Sequence, residues 1–264
     1  MAGINNYWQK IYELRYFLFY LVKLDLKNKY RRSKLGILWS ILYPAGLTII
    51  MGIVFAVAFK YDVIDYIPYV LSGILFWDLV NSSFSSGGYS LLSNDSFIRQ
   101  CNHPLTIYTL KSSFVTIINF LIALISLGIW VIVQNPLHLI TGIVSLPLTL
   151  LIFFVFVWGS TTIAGYTCVQ YRDYPMMIPL ILQVAWYVSP VFFQESLFKS
   201  NEIIYTWFQW NPITHMLNLI REPFLYGRFP SINDYFISVI LVVIVGYCAY
   251  KINKKKEKDI IFYL

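Results

Sequence analysis

Residues 112–171 read SSFVTIINFLIALISLGIWVIVQNPLHLITGIVSLPLTLLIFFVFVWGSTTIAGYTCVQY, a run of 60 positions without Asp, Glu, Lys or Arg. A helix that crosses a membrane needs about 20 mostly apolar residues, so this run is long enough for two crossings. Gln134, Asn135 and Pro136 lie near its middle and predict the turn between them. The stretch therefore predicts two consecutive membrane-spanning helices.

The composition of the whole chain agrees with a membrane protein. Its 264 residues are 58% hydrophobic, 19% aromatic and 12% charged, with a mean hydropathy of +0.63. A soluble domain normally carries about 25% charged residues. Disordered chains are rich in charge and poor in apolar residues, so disorder is excluded. We expect a polytopic membrane protein.

Other uncharged runs extend this pattern along the chain. Residues 37–59, 174–194 and 235–250 supply 23, 21 and 16 further positions without a charged side chain. A second span, residues 66–92, is less clear because it contains Asp78 and the small-residue run Ser82–Gly88. These segments together predict an all-α membrane protein with six transmembrane helices.

The basic residues predict how the chain is oriented. Lys and Arg are retained on the cytoplasmic side of a membrane. With a cytoplasmic N-terminus, six spans place 16 of the 20 Lys and Arg residues inside. The four outside are Lys60, Lys199, Arg221 and Arg228. The opposite orientation reverses this bias, so we expect both termini in the cytoplasm.

The ends of the chain differ from its middle. Residues 7–30 mix aromatic and basic side chains, a pattern typical of an amphipathic helix lying in the headgroup layer. An ordinary soluble helix packed on a partner is the alternative. The sequence thus divides into a cytoplasmic interfacial helix, residues 1–36, and a six-span transmembrane domain with a short basic cytoplasmic tail, residues 37–264. The basic run Lys254–Lys256 is a topology signal or contacts anionic lipids.

The outer segment between spans five and six has 40 residues, 195–234, too many for a tight turn. Within it, the uncharged stretch 203–220 is interrupted by Asn211-Pro212. This pattern favours a re-entrant helix pair, which is tolerated only where protein or a water-filled cavity shelters the backbone. An amphipathic helix lying flat on the outer surface is the alternative.

Motifs for catalysis are scarce. The chain has no GxxxxGK[ST], HExxH or GxSxG motif, so it predicts neither a P-loop nor a zinc or acyl-transfer site. We expect no metal and no cofactor in this chain. The basic residues follow membrane sidedness, which argues against a nucleic-acid partner. Asp78 predicts a hydrated pathway with Asn81, Ser82 and Ser85, or else a helix-packing contact.

Five segments, in order, resemble the permeases of type-2 ABC exporters for lipid-linked polysaccharides. They are residues 29–40 (KYRRSKLGILWS) with Tyr43-Pro44, residues 73–77 (GILFW) with the serines that follow, Arg172-Asp173 with Pro179 and residues 189–191 (SPV), Asn211-Pro212 with Arg221, and a basic tail ending in residues 259–261 (DII). The resemblance covers nearly the whole chain. In the first cytoplasmic loop, His103 precedes Pro104 where the family usually has Phe.

The resemblance implies a transport subunit rather than an enzyme. Such a permease forms a homodimer in the bacterial inner membrane and binds two copies of a separate ABC ATPase, which holds ATP and Mg²⁺. Its cargo is a glycan on undecaprenyl pyrophosphate: an O antigen, as in lipopolysaccharide biosynthesis, or a capsule or teichoic acid. A small-lipid or drug exporter of the same architecture and a membrane-bound glycosyltransferase or acyltransferase are the alternatives.

The resemblance also implies roles for particular residues. ATPase coupling would fall to the loop residues Asn94, Asp95, Ser96, Phe97, Ile98 and Arg99, with Arg172 and Asp173. The cytoplasmic entrance and the lipid pyrophosphate would be contacted by Lys27, Tyr30, Arg31 and Arg32. The channel and its outer gate would include Asp78, Asn81, Trp207, Phe208 and Trp210.

Overall fold

The structure, a computed structural model, describes residues 2–31, 33–101, 103–194, 197, 201–257 and 259–263. These residues form α-helices and short 3-10 turns without any β-strand, which confirms the predicted all-α class. In chain order the α-helices are α1 (Ala2–Glu13), α2 (Arg15–Tyr30), α3 (Trp39–Phe59), α4 (Val63–Gly88), α5 (Asp95–Gln100), α6 (Thr106–Gln134), α7 (Pro136–Gln170), α8 (Tyr174–Val188), α9 (Glu202–Trp210), α10 (Pro212–Leu225) and α11 (Ile232–Lys256).

Five helical segments in the described residues are long and apolar enough to cross a membrane. They are Gly36–Phe59, which contains α3, together with α4, α6, α7 and α11. The remaining apolar helix, α8, has 15 residues. It ends at Val188, since Pro190 lacks an N–H donor and disfavours helical backbone at the residue before it. The sixth crossing therefore stays a prediction.

Helix α4 is the centre of the bundle, although the sequence indicated it least clearly. It packs against α3, α6, α7, α8 and α10. Its small residues permit close approach: a Cβ atom at Gly87 would lie 2.7 Å from Thr161 Oγ1 of α7. The same Ser/Gly run that lowers the apolar character of this segment thus allows it to occupy the middle of the protein.

The N-terminal segment forms two helices that meet at Leu14. Helix α2 packs on α6 through a buried face that contains Leu18, Leu21 and Val22. The exposed aromatic residues of the segment include Tyr12, Tyr16, Phe19 and Tyr20. One face is therefore held by the bundle, and another presents a row of aromatic rings.

The two ends of the bundle differ. At one end, which we call the α5 end, Leu21 of α2, Ile98 of α5 and Tyr166 of α7 share a buried cluster. The opposite end, which we call the α9–α10 end, includes the start of α4 and the end of α6, where Gln134 Nε2 donates to Ile64 O at 2.8 Å. All the side chains that the sequence predicted for ATPase coupling lie toward the α5 end, with Trp207 and its neighbours at the other.

Candidate functional site

An open cavity of about 530 Å³ lies among α2, α3, α4, α6 and α8. Its polar wall includes Lys29, Tyr30, Asp78, Asn81 and Asn119. Asp78 is exposed toward this space even though the residues on either side of it in α4 are buried. A carboxylate inside a spanning helix is costly unless it faces protein or water, and the cavity provides such a space.

Tyr30 attaches the end of α2 to the wall of the cavity. Its hydroxyl donates to Asn119 Oδ1 of α6 at 2.7 Å and lies 2.6 Å from Ser40 Oγ of α3. These two contacts link the end of α2 to α3 and α6. In the same cavity, Asn81 Oδ1 accepts from Ser85 Oγ at 3.0 Å within α4.

Aromatic side chains form the rest of the wall. Trp77 of α4 and Trp186 of α8 stack with ring centroids 6.4 Å apart and an interplanar angle of 19°. Trp39 and Tyr43 of α3 are exposed and line the same space. Flat apolar rings beside carboxylate and amide groups can contact both the carbon face and the hydroxyl groups of a sugar, with a few polar groups fixing its orientation.

The cavity brings together residues that the sequence assigned to two different roles. Tyr30, predicted for the entrance, and Asp78 and Asn81, predicted for the channel, line one space. Lys27 and Arg31 are exposed and are not among its lining residues, and Arg32 lies outside the described residues. Lys29 also lines the cavity, although the sequence pattern predicted no role for it.

The predicted coupling loop contains the short helix α5, and its residues divide between two faces. Ser96, Phe97 and Arg99 are exposed, and Arg99 Nε pairs with Asp95 Oδ1 at 2.6 Å. Ile98 is buried against α2 and α7, and Asn94 is buried just before the helix. Only part of the predicted coupling set is therefore available to a partner protein.

The second predicted coupling turn, Arg172-Asp173, connects α7 to α8 and is exposed. The end of α7 packs near α5 through Tyr166 and Val169, which share a buried cluster with Ile98. The two predicted coupling segments thus lie at the same end of the bundle.

A partly buried hydrogen-bond network surrounds Glu257 at the α5 end. Its Oε1 accepts from Tyr7 Oη at 2.8 Å and from the Leu105 backbone N–H at 2.9 Å. Asn253 Nδ2 donates to Tyr7 Oη at 3.1 Å, and Asn253 Oδ1 accepts from Tyr166 Oη at 2.7 Å. Burial raises the pKa of Tyr7 to about 12, so its phenol stays protonated and donates at neutral pH.

The predicted outer gate lies in α9, but its three aromatic residues do not share one surface. Trp207 and Trp210 are 57% and 77% exposed, whereas Phe208 is 4% exposed. Helices α9 and α10 meet at Asn211, whose side-chain oxygen accepts from the Ile213 N–H at 2.9 Å. Asn211-Pro212 therefore ends one helix and caps the start of the next.

A polar cluster fastens this helix pair to α11. His215 Nδ1 of α10 lies 2.8 Å from Asp234 Oδ1, and His215 Nε2 lies 2.9 Å from the Gln209 carbonyl oxygen. Asn218 Nδ2 also donates to Asp234 Oδ1, at 3.1 Å. Both ring nitrogens of His215 therefore lie beside oxygen atoms of other residues. No group of His, Cys, Asp and Glu that could hold a metal ion occurs in the part of the chain that the structure describes.

Arg221 of α10 is buried and supports the segment that follows α8. Its Nη1 donates to Pro190 O at 2.8 Å and its Nη2 to Val191 O at 2.6 Å. Its guanidinium carbon lies 3.7 Å from the Tyr69 ring centroid. A Cβ atom at Gly73 would lie 2.1 Å from Val191 O, so only glycine lets this segment approach α4 so closely.

A known protein family matches most of this chain. The family described as ABC-2 type transporter matches residues 16–225, from α2 to the end of α10. The chain belongs to the ABC-2 type transporter family. The matched region includes the cavity, α5, the Arg172-Asp173 turn and Arg221.

Individual members of this family resemble the chain over nearly its full length. It is 21% identical over 237 residues to the O-antigen export system permease protein RfbA of Klebsiella pneumoniae, covering 89% of this chain and 90% of the relative. For the RfbA protein of Myxococcus xanthus the identity is 20%, with coverages of 95% and 96%. For the polysialic acid transport protein KpsM of Escherichia coli it is 22%, with coverages of 88% and 91%.

Proposed function

We propose that this ABC-2 type transporter is the channel-forming permease of an ATP-driven exporter that moves polysaccharide linked to undecaprenyl pyrophosphate across the bacterial inner membrane. The proposed cargo is an O antigen. The observation that carries this proposal is the similarity, over 89% to 95% of the chain, to two permeases named for O-antigen export. The similarity to KpsM gives capsule polysaccharide as a second candidate.

The cavity supplies the geometric support for a glycan cargo. Trp39, Tyr43 and the Trp77–Trp186 pair offer ring faces, while Asp78 and Asn81 offer hydrogen-bonding groups. A long glycan has to slide, and stacking on rings does not require a fixed hydrogen-bond register. Lys27, Lys29 and Tyr30 in the last turn of α2 would attract the pyrophosphate by charge and charge-assisted hydrogen bonds, together with Arg31 and Arg32, which follow them in the sequence.

The proposed topology has six crossings, with both termini in the cytoplasm and the α5 end facing the cytoplasm. Helix α8, about 22 Å long at 1.5 Å per residue, is too short to cross alone. The segment after Val188 would complete the crossing. Irregular backbone is tolerated at membrane depth where protein satisfies it, and Arg221, Tyr66 and Tyr69 donate to carbonyl oxygens of that segment.

Two further elements belong to this topology. Helices α9 and α10 would form the re-entrant pair at the outer mouth, with Trp207 and Trp210 near the exit. Helices α1 and α2 would lie in the inner headgroup layer, where Tyr12, Tyr16, Phe19 and Tyr20 are suited to the interface.

The proposed assembly is a homodimer with two copies of a separate ABC ATPase, which would hold ATP and Mg²⁺. Helix α5 and the exposed Arg172-Asp173 turn would contact this ATPase from the α5 end. Because one chain forms an open cavity rather than a closed passage, a second chain would be required to enclose the path of the glycan.

Depletion of the chain in living cells tests the cargo. Surface glycan should fall, and lipid-linked glycan should accumulate on the cytoplasmic side, because synthesis continues while export stops. Immunoblotting of surface glycan and extraction of the lipid-linked pool measure both quantities. Loss of capsule with normal O antigen would favour capsule polysaccharide as the cargo. Normal surface glycan of every kind would contradict glycan export and favour a small-lipid exporter.

A further inference from the structure

Lys111 at the start of α6 is a buried lysine that contacts two other elements at once. Its side chain is 5% exposed, and its Nζ lies 2.7 Å from Asp25 Oδ2 of α2. The same Nζ donates to Asn94 Oδ1, just before α5, at 3.1 Å. Removing an ammonium group from water is costly unless it is paired and hydrogen-bonded, and here both partners lie on segments outside α6.

Asn94 is held in one orientation by this contact. Its Nδ2 donates to Ser90 O at 2.7 Å, which leaves Oδ1 directed at the lysine. Asn94 immediately precedes the first residue of α5, so Lys111 is bonded to the residue at which this helix begins. Asn94 is itself buried and cannot serve as a contact for a partner protein.

Asp25 connects Lys111 to helix α2, which ends at the cavity. It lies five residues before Tyr30 in α2, a rise of about 7.5 Å along a continuous helix. Tyr30 Oη is bonded to Asn119 in the cavity wall. A second contact between α2 and the α5 segment comes from Phe17, whose ring centroid lies 6.3 Å from that of Phe97 and 5.2 Å from that of His103.

We propose that Lys111 is a positioning residue that makes α5 and α2 move together, so that displacement of α5 by an ATPase reaches the cavity wall at Tyr30. Lysine suits this task because one ammonium group has three donors and can bind two acceptors on separate segments. The inference rests on the proposed function, since it requires an ATPase that displaces α5.

The test uses the purified complex of permease and ATPase, reconstituted in liposomes with lipid-linked glycan, and measures glycan transported per ATP hydrolysed. Lys111→Met should lower this ratio about tenfold, a typical size for coupling between sites. Lys111→Arg should restore most of it, because arginine keeps the charge and several donors. The thermal midpoint of Lys111→Met should fall, because the buried Asn94 Oδ1 loses its charged donor, but it should stay above the assay temperature. ATPase co-purification should match that of the wild type.

A matched control and a second variant distinguish coupling from simple support of the fold. Lys256 also contributes an ammonium group at the α5 end, but its hydrogen bond to Gln170 joins α11 to α7. Lys256→Met should leave the ratio unchanged. Asp25→Asn should lower the ratio as Lys111→Met does, and the double variant should show no further loss, because both changes break the same link.

The outcomes separate the two levels of the proposal. If the wild-type chain binds no ATPase, both the proposed function and this inference are overturned. If the complex forms and Lys111→Met keeps the wild-type ratio, the inference alone is overturned. Should Lys111→Met aggregate, Asp25→Asn leaves the lysine in place and decides the question by the same ratio.

Discussion

Arg221 shows how this protein accommodates a charge within its buried core. A buried guanidinium carries five N–H donors, and these need acceptors around them. The partners that surround it are neutral: the Pro190 and Val191 carbonyl oxygens, Ser72 Oγ and the face of Tyr69. The carbonyl oxygens belong to the segment where helical hydrogen bonding has ended, so the arginine and the segment satisfy each other.

Arg221→Met should lower the free energy of unfolding by about 3 kcal/mol, because it leaves two buried carbonyl oxygens without charged donors. Arg221→Lys should recover little, since one ammonium group does not reproduce the planar fork. Arg228→Met is the control: Arg228 is 69% exposed in its ion pair with Glu222 and should contribute at most about 1 kcal/mol. Unfolding in detergent measures all three, and equal stability of the Met variants would contradict the role of Arg221.

At the scale of single elements, α5 has one face that belongs to the fold and another that is free to bind. Ile98 packs in the core at the α5 end, so a charge at this position would destabilise the protein. Phe97 is 39% exposed on the other face, and one edge of its ring contacts Phe17 of α2, with ring centroids 6.3 Å apart. A test of docking therefore has to change Phe97 alone.

Phe97→Glu should abolish co-purification of the ATPase, because a charge would enter an apolar contact, while the thermal midpoint of the isolated permease stays within a few degrees. Phe262→Glu is the matched control, since Phe262 is an exposed phenylalanine in the C-terminal segment. Affinity purification of the ATPase from cells that express each variant gives the answer. Normal recovery with Phe97→Glu would remove α5 from the docking surface.

Helix α9 also has one buried face and one exposed face. Phe208 is buried and holds the helix against the bundle, whereas Trp207 and Trp210 are exposed. If the two tryptophans close the outer mouth, replacing both with alanine should make liposomes that contain the protein permeable to small ions without lowering its thermal midpoint.

Phe208→Ala provides the contrasting variant for the same ion-flux assay. It should cost about 3 kcal/mol of stability through loss of buried apolar surface. A double tryptophan variant with unchanged ion permeability and a lower thermal midpoint would mean that both side chains are interfacial anchors.

At the scale of the whole molecule, the helical class and the family could be predicted from charge-free runs and short motifs. The end of helix α8 could not be predicted in this way, because the charge-free run 174–194 continues past Ser189-Pro190, where the helix stops. Charge patterns measure the apolar character of a stretch but not where its backbone hydrogen bonds end. The burial of Arg221 could not be predicted either, because burial arises from tertiary packing, which no single stretch contains.

Individual residues of the candidate site could be predicted from the sequence, but their position around a single cavity could not. Tyr30 and Asp78 were selected from separate segments for separate roles, and only the packing of α2, α3, α4 and α6 brings them to one cavity. The sequence pattern predicted no role for Lys111. In the sequence it is a single basic residue at the edge of an uncharged run, and its contacts with Asp25 and Asn94 are 86 and 17 positions away in the chain.

The central claim is that the chain exports a glycan only together with an ATPase, and inside-out membrane vesicles test it most directly. In such vesicles the cytoplasmic face is outermost, so export carries the lipid-linked glycan into the lumen, where an added glycosidase cannot reach it. We expect ATP to protect the glycan in vesicles that contain both proteins, and not in vesicles that lack either one. Glycan that stays fully accessible to the glycosidase while the complex hydrolyses ATP would contradict the account.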